Sequence, residues 1–414
     1  MLNIKLNKRH IIYGLFLFAF SSLMSCKSDI ENESTKSNNQ INHAELLKRG
    51  AQIQLGKEWD EVQNNYAKFI NEINKDNNNN QARIQLAQLF IKEARVTGEH
   101  GHYYPAALAV IKDALENEAL TDDLKFIALT TKAGVQLSLH DFREALQTGN
   151  AAALLNPNNA QIHGVLVDAN VELGNYKKAV ALADRMMAIK PDIRSYSRAS
   201  YLREIHGDVS GAKDAMMMAV KAGFPGTEET AWAMLTLGDM HKNYGSLDTA
   251  EIIYKSILEM RPDYPFAVGG LGEVYLLEND YVKAEATLND AIDIIPEVGF
   301  YISMAHLYKK QNRKDELNAI VDEIMVMLKE DTDSGHNMNL EYADLYLELL
   351  EDPEKAFEYS SLEYEKRPKN IDVNLMMAKV SLAKGNNDNA KRFLAVAEST
   401  NSMNPSIKEV KIKL

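Results

Sequence analysis

The sequence predicts an all-α chain built from stacked antiparallel helix pairs, and three observations carry that reading. From about residue 42 onward apolar residues recur with helical spacing, and no run of alternating β-branched residues asks for a sheet. The helical segments are broken at short intervals by Gly, Asn and Asp. The breaks recur at a fixed period: a proline stands twelve residues after an alanine at Pro157, Pro191, Pro262, Pro296 and Pro368, and two pairs of these prolines are 34 residues apart. At 414 residues the chain exceeds what one hydrophobic core holds, so a linear stack accommodates it without separate globular domains.

The amino terminus is read separately. Lys5, Lys8 and Arg9 precede an apolar run from Ile11 to Phe20, which is too short to span a bilayer and has the layout of a signal peptide over 1–25. The run closes on Leu23-Met24-Ser25-Cys26, and Cys26 is the only cysteine of the chain. The segment resembles the bacterial lipobox, which implies cleavage before Cys26 and lipid attachment to its sulfur. A single exported thiol has no disulfide partner, and acyl chains on it would hold the protein on a membrane without crossing it. Residues 26–41 are polar and aperiodic and read as a flexible tether. The expected address is the cell envelope, lipid-anchored at the outer membrane, on its periplasmic or its surface side. The acidic residues after Lys27 also resemble the export signals of Bacteroidetes surface lipoproteins.

The repeat is clearest at Gly174-Asn175-Tyr176-Lys177-Lys178-Ala179 and Asn279-Asp280-Tyr281-Val282-Lys283-Ala284, with looser copies ending at Ala145, Ala212, Ala250, Ala356 and Ala390. Around the second copy Leu271, Gly272, Tyr275, Ala284, Leu288, Ala291 and Pro296 follow the order large, small, helix-ending. Small residues let paired helices approach, large ones fill the space beside them, and the proline stops the second helix. A 34-residue period with these residues resembles the tetratricopeptide repeat. The resemblance implies a right-handed superhelical solenoid of antiparallel helix pairs, with about nine to ten hairpins over 42–402 and a C-terminal tail at 403–414. Two stretches, Val96 to Tyr103 and Asp331 to Asn337, are longer than the repeat needs and are expected to project outward as loops.

No catalytic signature is present: there is no metalloprotease helix, phosphate-cradling loop, nucleophile elbow or free cysteine after lipidation. The chain is read as no enzyme, with no cofactor and no metal. Glu99, His100 and His102 offer ligand types in one segment but read as polar turn residues, and Met186, Met187 and Met216 to Met218 as core. A formal net charge of −13 argues against nucleic acid. In the family the first helix of each pair lines the concave groove, and this resemblance places Asp168, Arg198, Tyr201, Asp239, Lys242, Glu273, His306 and Lys309 there. The acids among them disfavour clamping a peptide's terminal carboxylate, and Asp239 and Glu273 are expected to be exposed charges whose loss leaves folding unchanged. The expected function is a non-enzymatic, membrane-anchored scaffold that takes a protein or peptide partner in its groove, within assembly, secretion or export machinery. A surface glycan-binding lipoprotein and a cryptic hydrolase are the alternatives; glycan sites call on exposed Trp or Tyr for stacking, and the chain has only two tryptophans, Trp59 and Trp232.

Overall fold

The computed structural model describes residues 43–414. The signal segment 1–25, Cys26 and the tether 26–41 lie outside the described residues. Among the described residues there is no strand, and no helix is long and apolar enough to cross a membrane.

A short 3-10 turn (Ala51–Ile53) leads into α1 (Gly56–Lys75), which caps the array. Nine helix pairs follow. They are α2 (Asn80–Thr97) with α3 (His100–Leu115), α4 (Asp122–Ser138) with α5 (Phe142–Leu155), and α6 (Ala160–Glu172) with α7 (Tyr176–Ile189). Then come α8 (Ile193–Ile205) with α9 (Val209–Ala222), α10 (Glu228–Asn243) with α11 (Leu247–Met260), and α12 (Pro265–Leu277) with α13 (Tyr281–Ile294). The last three are α14 (Val298–Lys310) with α15 (Lys314–Asp333), α16 (Asn339–Asp344, continued by a π turn at Leu345–Leu349) with α17 (Pro353–Lys366), and α18 (Ile371–Ala383) with α19 (Asn387–Ala397). A final helix, α20 (Pro405–Lys413), covers the end of the stack with Ile407 and Val410 buried. The segment expected as a tail is therefore a packed cap. An array end must cover its last apolar face, and Ile407 and Val410 are three apart on one helix face.

One backbone feature marks every pair. The turn between its two helices holds a single residue at positive φ: Gly98, His140, Gly174, Gly207, Gly245, Asn279, Asn312, Glu351 and Gly385 in chain order. A left-handed residue reverses the chain directly after a helix. Gly and Asn adopt it readily, whereas His140 and Glu351 do so at a cost. The seven signature alanines, from Ala145 to Ala390, are all fully buried. Close packing explains them: a β-carbon on Gly272 would stand 2.7 Å from Cγ of Leu288, and one on Gly238 would stand 2.6 Å from the ring of Tyr254.

First helices touch the first helices of the next pair throughout, α4 on α6, α6 on α8, α8 on α10, α10 on α12 and α12 on α14. Consecutive second helices form no row of comparable extent among the described residues. The array therefore bends toward its first-helix side, which becomes the concave wall.

The bend closes far enough for one superhelical turn to meet the next, and the contacts keep a nearly constant separation along the chain. Arg261 pairs with Glu58, 203 residues away, at 3.4 Å. His140 Nδ1 meets the Asn337 carbonyl at 3.0 Å, 197 residues away, and the Ile371 amide donates to Tyr176 Oη at 2.8 Å, 195 residues away. At the seam the turns within α2/α3, α4/α5, α6/α7 and α8/α9 lie against the turns that follow α13, α15, α17 and α19. Arg367 sits at its centre, paired with Glu172 and with buried Glu363 at 2.5 Å, its guanidinium 4.6 Å above the Phe142 ring.

Both segments expected as outward loops belong to this seam. Val96 and Thr97 finish α2, His100 opens α3, and only Gly98 and Glu99 connect them. Gly98 faces Glu297, and Gly101 faces Ser334 in the second long segment. What the extra residues touch is the chain itself.

Candidate functional site

The concave wall is built from positions on first helices, and each groove residue inferred from the repeat lies on one: Asp168 on α6, Arg198 and Tyr201 on α8, Asp239 and Lys242 on α10, Glu273 on α12, His306 and Lys309 on α14. The structure joins them into ladders between neighbouring first helices. Arg198 holds Asp168 with both ends of its guanidinium, Nε to Oδ1 at 2.9 Å and Nη2 to Oδ2 at 2.5 Å. Lys242 donates to Asp239 at 2.9 Å and to Glu273, and Ser303 Oγ donates to Glu273 at 2.8 Å. Lys309 reaches the Glu348 carbonyl at 2.6 Å and the Glu351 carboxylate at 2.8 Å. His306 stands among Asp344, Glu348, Lys309 and Lys310, with burial depressing its imidazole.

Asp239 is not the free surface charge that was expected. It also accepts the hydroxyl of fully buried Tyr254 at 2.7 Å, so it satisfies a core group. Tyr254 is the second-helix residue whose ring occupies the space left by Gly238 and Gly270, and its hydroxyl has to emerge somewhere.

Several wall residues escaped the sequence reading. Glu172 and Glu204, on α6 and α8, and Asp372, on α18, share the wall with Tyr201, and Asp344, on α16, stands near His306. All four carboxyl groups are raised, first by burial. For Glu172 the value reaches about 7, since Arg367 offsets burial only in part while Asp372, Asp168 and Glu363 push upward. The Tyr201 hydroxyl is raised too, by burial and then by Asp372, Glu172, Tyr176 and Glu204, although the residue remains 39% exposed. A side chain on a concave wall has protein on most sides and water at its tip. The signal for these acids was present in the helical register: Glu204 lies three residues beyond Tyr201, and Glu172 four beyond Asp168.

The remaining candidates divide. Met186 and Met216 are buried as expected, whereas Met217 and Met218 are exposed at 40% and 47%. Three consecutive helical residues point in directions 100° apart, so one of the run faces the core. Glu99, His100 and His102 do not converge, since His102 Nε2 meets the Glu45 carbonyl at 2.8 Å. His100 turns instead toward His336 and Asp331. Trp59 is buried beneath Arg49, and Trp232 is 47% exposed.

A family model described as Tetratricopeptide repeat matches residues 136–203, and the nine pairs give the whole described chain the fold of a tetratricopeptide-type helical solenoid. Similar solved structures include a thermophilic tetratricopeptide protein of Thermus thermophilus, at 20% identity over 48% of this chain and 99% of that one, with a TM-score of 0.41. A chain of the APC/C Cut9–Hcn1 hetero-tetramer aligns over 88% of this chain and 61% of its own, at 14% identity and TM-score 0.46. The Pseudomonas aeruginosa protein pilF aligns over 51% and 97%, at 14% and 0.40. No curated protein matches the chain.

Proposed function

We propose that the protein is a non-enzymatic scaffold, tethered to a membrane of the cell envelope through lipid on Cys26, whose concave wall holds a cationic segment of a partner protein. One observation carries the choice of partner. Glu172, Glu204 and Asp372 gather around Tyr201 on one wall with their carboxyl groups all raised by burial, and at Glu172 Arg367 offsets this only in part. A Lys or Arg side chain entering there would favour the ionised form of those groups and gain a charge-assisted hydrogen bond in a site of reduced dielectric. Tyr201, half in water among them, offers a ring face for the same cation.

The enzyme reading has no catalytic motif in the sequence behind it, and the wall's carboxylates are engaged by Arg198, Lys242 and the Ser303 hydroxyl. Glycan binding is weakened by the burial of Trp59, which leaves one tryptophan for stacking. The test is cross-linking of the full chain in its native envelope, with identification of captured proteins, for wild type and for a Tyr201→Ala, Glu204→Gln double variant. The reading requires a partner that wild type captures through a Lys- or Arg-rich segment and the variant loses. Equal capture by both would overturn it.

A further inference from the structure

The seam between superhelical turns assembles a second site, unrelated to the concave wall. His100 opens α3 in the first turn of the superhelix, while Asp331 lies near the end of α15 and His336 in the following connection, both in the second. Their ligand atoms all fall within 4.8 Å of one another. His140, the left-handed residue of the α4/α5 turn, places its ring 4.6 Å from that of His336, and the His100 and His336 rings are 6.4 Å apart. Both ring nitrogens of His336 are buried without a hydrogen-bond partner, as is Oε2 of nearby Glu341.

We propose that His100, Asp331 and His336 bind a divalent transition-metal ion of the zinc class, and that the ion pins one superhelical turn to the next. Imidazole nitrogen and carboxylate oxygen are the donors such an ion takes, and three protein ligands leave a fourth position for water. A tetrahedral set at bond lengths near 2.0–2.1 Å has donors ~3.3 Å apart, so the three side chains need only close inward. Both ring nitrogens of His336 lack a hydrogen-bond partner, so either is open to ligate in the neutral form that metal binding needs. Asp331 stands near two further acids, Glu330 and Glu341, and near His140. An ion supplies the missing partner of His336. His336 also lines a cleft of about 610 Å³ with Met325, Thr332, Asn339 and Tyr342.

The test uses the full chain, stripped with a chelator and desalted, then titrated with zinc chloride in competition with a chromophoric chelator. The expected result is one Zn²⁺ per chain, with affinity at least tenfold weaker in His336→Ala and in Asp331→Asn and unchanged in His102→Ala. Cobalt(II) in place of zinc should give the visible absorption of a four-coordinate nitrogen and oxygen site, lost in the same two variants. Saturating zinc should raise the unfolding temperature of wild type and leave that of Asp331→Asn where it is. Should His336→Ala fail to fold, His100→Gln takes its place with the same expectation. Absence of one-to-one uptake, or uptake that survives substitution of Asp331 and of either histidine, would overturn the site.

Discussion

Gly174 and Lys369 lie backbone against backbone: a β-carbon on Gly174 would stand 2.5 Å from the carbonyl carbon, the carbonyl oxygen and the β-carbon of Lys369. Gly174 ends the turn of the α6/α7 pair and Lys369 precedes α18, so this contact measures how tightly successive superhelical turns are pressed together. Gly385 has the same left-handed backbone, with φ +72° against +73°, and open space around it. Gly174→Ala and Gly385→Ala therefore share the cost of the left-handed conformation, and only the first meets an obstacle. We expect Gly174→Ala to be the more destabilising by about 1–3 kcal/mol in urea unfolding, the usual range for overpacking. Equal losses would mean that the seam is not closed in solution.

Within a pair, Gly272→Leu should disrupt the α12/α13 contact, because Leu288 already fills the space beside Gly272. A loss of about 1–3 kcal/mol is expected. It should extend to the flanking pairs, which bury their faces against this one. Hydrogen exchange resolves the spread: faster exchange in α10 to α15 is the expected pattern, and protection unchanged throughout would place Gly272 outside the core.

Asp239→Ala should cost stability, since it leaves the buried Tyr254 hydroxyl without an acceptor and Lys242 with Glu273 as its remaining acid. A buried unsatisfied group costs about 1–3 kcal/mol. Asp239→Asn keeps an acceptor at the same place and should recover most of the loss. Thermal unfolding of the two variants decides it, and an alanine variant as stable as wild type would return Asp239 to the surface.

Glu172 predicts a pH dependence. Its carboxyl is raised to about 7 in the fold from an ordinary 4.5, so the folded state binds the proton more tightly than the unfolded state does. The associated stability is complete below about pH 4.5 and is lost as the pH rises through 7, by at most about 3 kcal/mol at 1.36 kcal/mol per unit. Glu172→Gln removes this titration, so the variant should gain on wild type between pH 5 and pH 8. Arg367, which faces Glu172 together with Asp372, Asp168 and Glu363, keeps its pair with Glu363 in the variant. A stability difference that stays constant across this range, measured by urea midpoints, would rule the shift out.

Cys26→Ala should release the protein from membranes, because the described residues contain no helix able to cross one and the lipobox-like segment offers this thiol for acylation. Fractionation after a salt wash is the measurement. Retention of the variant in the membrane pellet would refute the anchor.

The repeat was legible because its markers answer to local geometry. Ala250 and Ala284 must be small, Gly174 and Asn279 must tolerate a left-handed turn, and Pro262 and Pro296 must end a helix, each within a few residues of its cause. His140 and Glu351 take the same turn without the residue type that favours it, so their turns carry no such mark in the sequence. The groove positions followed from the repeat register, but their pairing did not: whether Asp239 is free depends on Tyr254, fifteen residues on in the second helix. The seam was invisible because it joins residues near 195 apart, and curvature summed over several pairs sets that number. Both insertions were noticed and their destination missed for this one reason.

The constant offset across the seam works like the lead of a screw thread. In an open stack a hairpin can be added or lost with only its two neighbours disturbed. Here the loss of one 34-residue unit between Tyr176 and Ile371 would slide every later turn past its mate, bringing Lys369 out from under Gly174 and Asn337 away from His140. The number of hairpins is thereby fixed by the thread. A ribosome making this chain must also finish α18 before the edge carried by α6 and α7 can be closed, so the first superhelical turn waits, with Glu172 and Tyr176 uncovered, for the second to arrive.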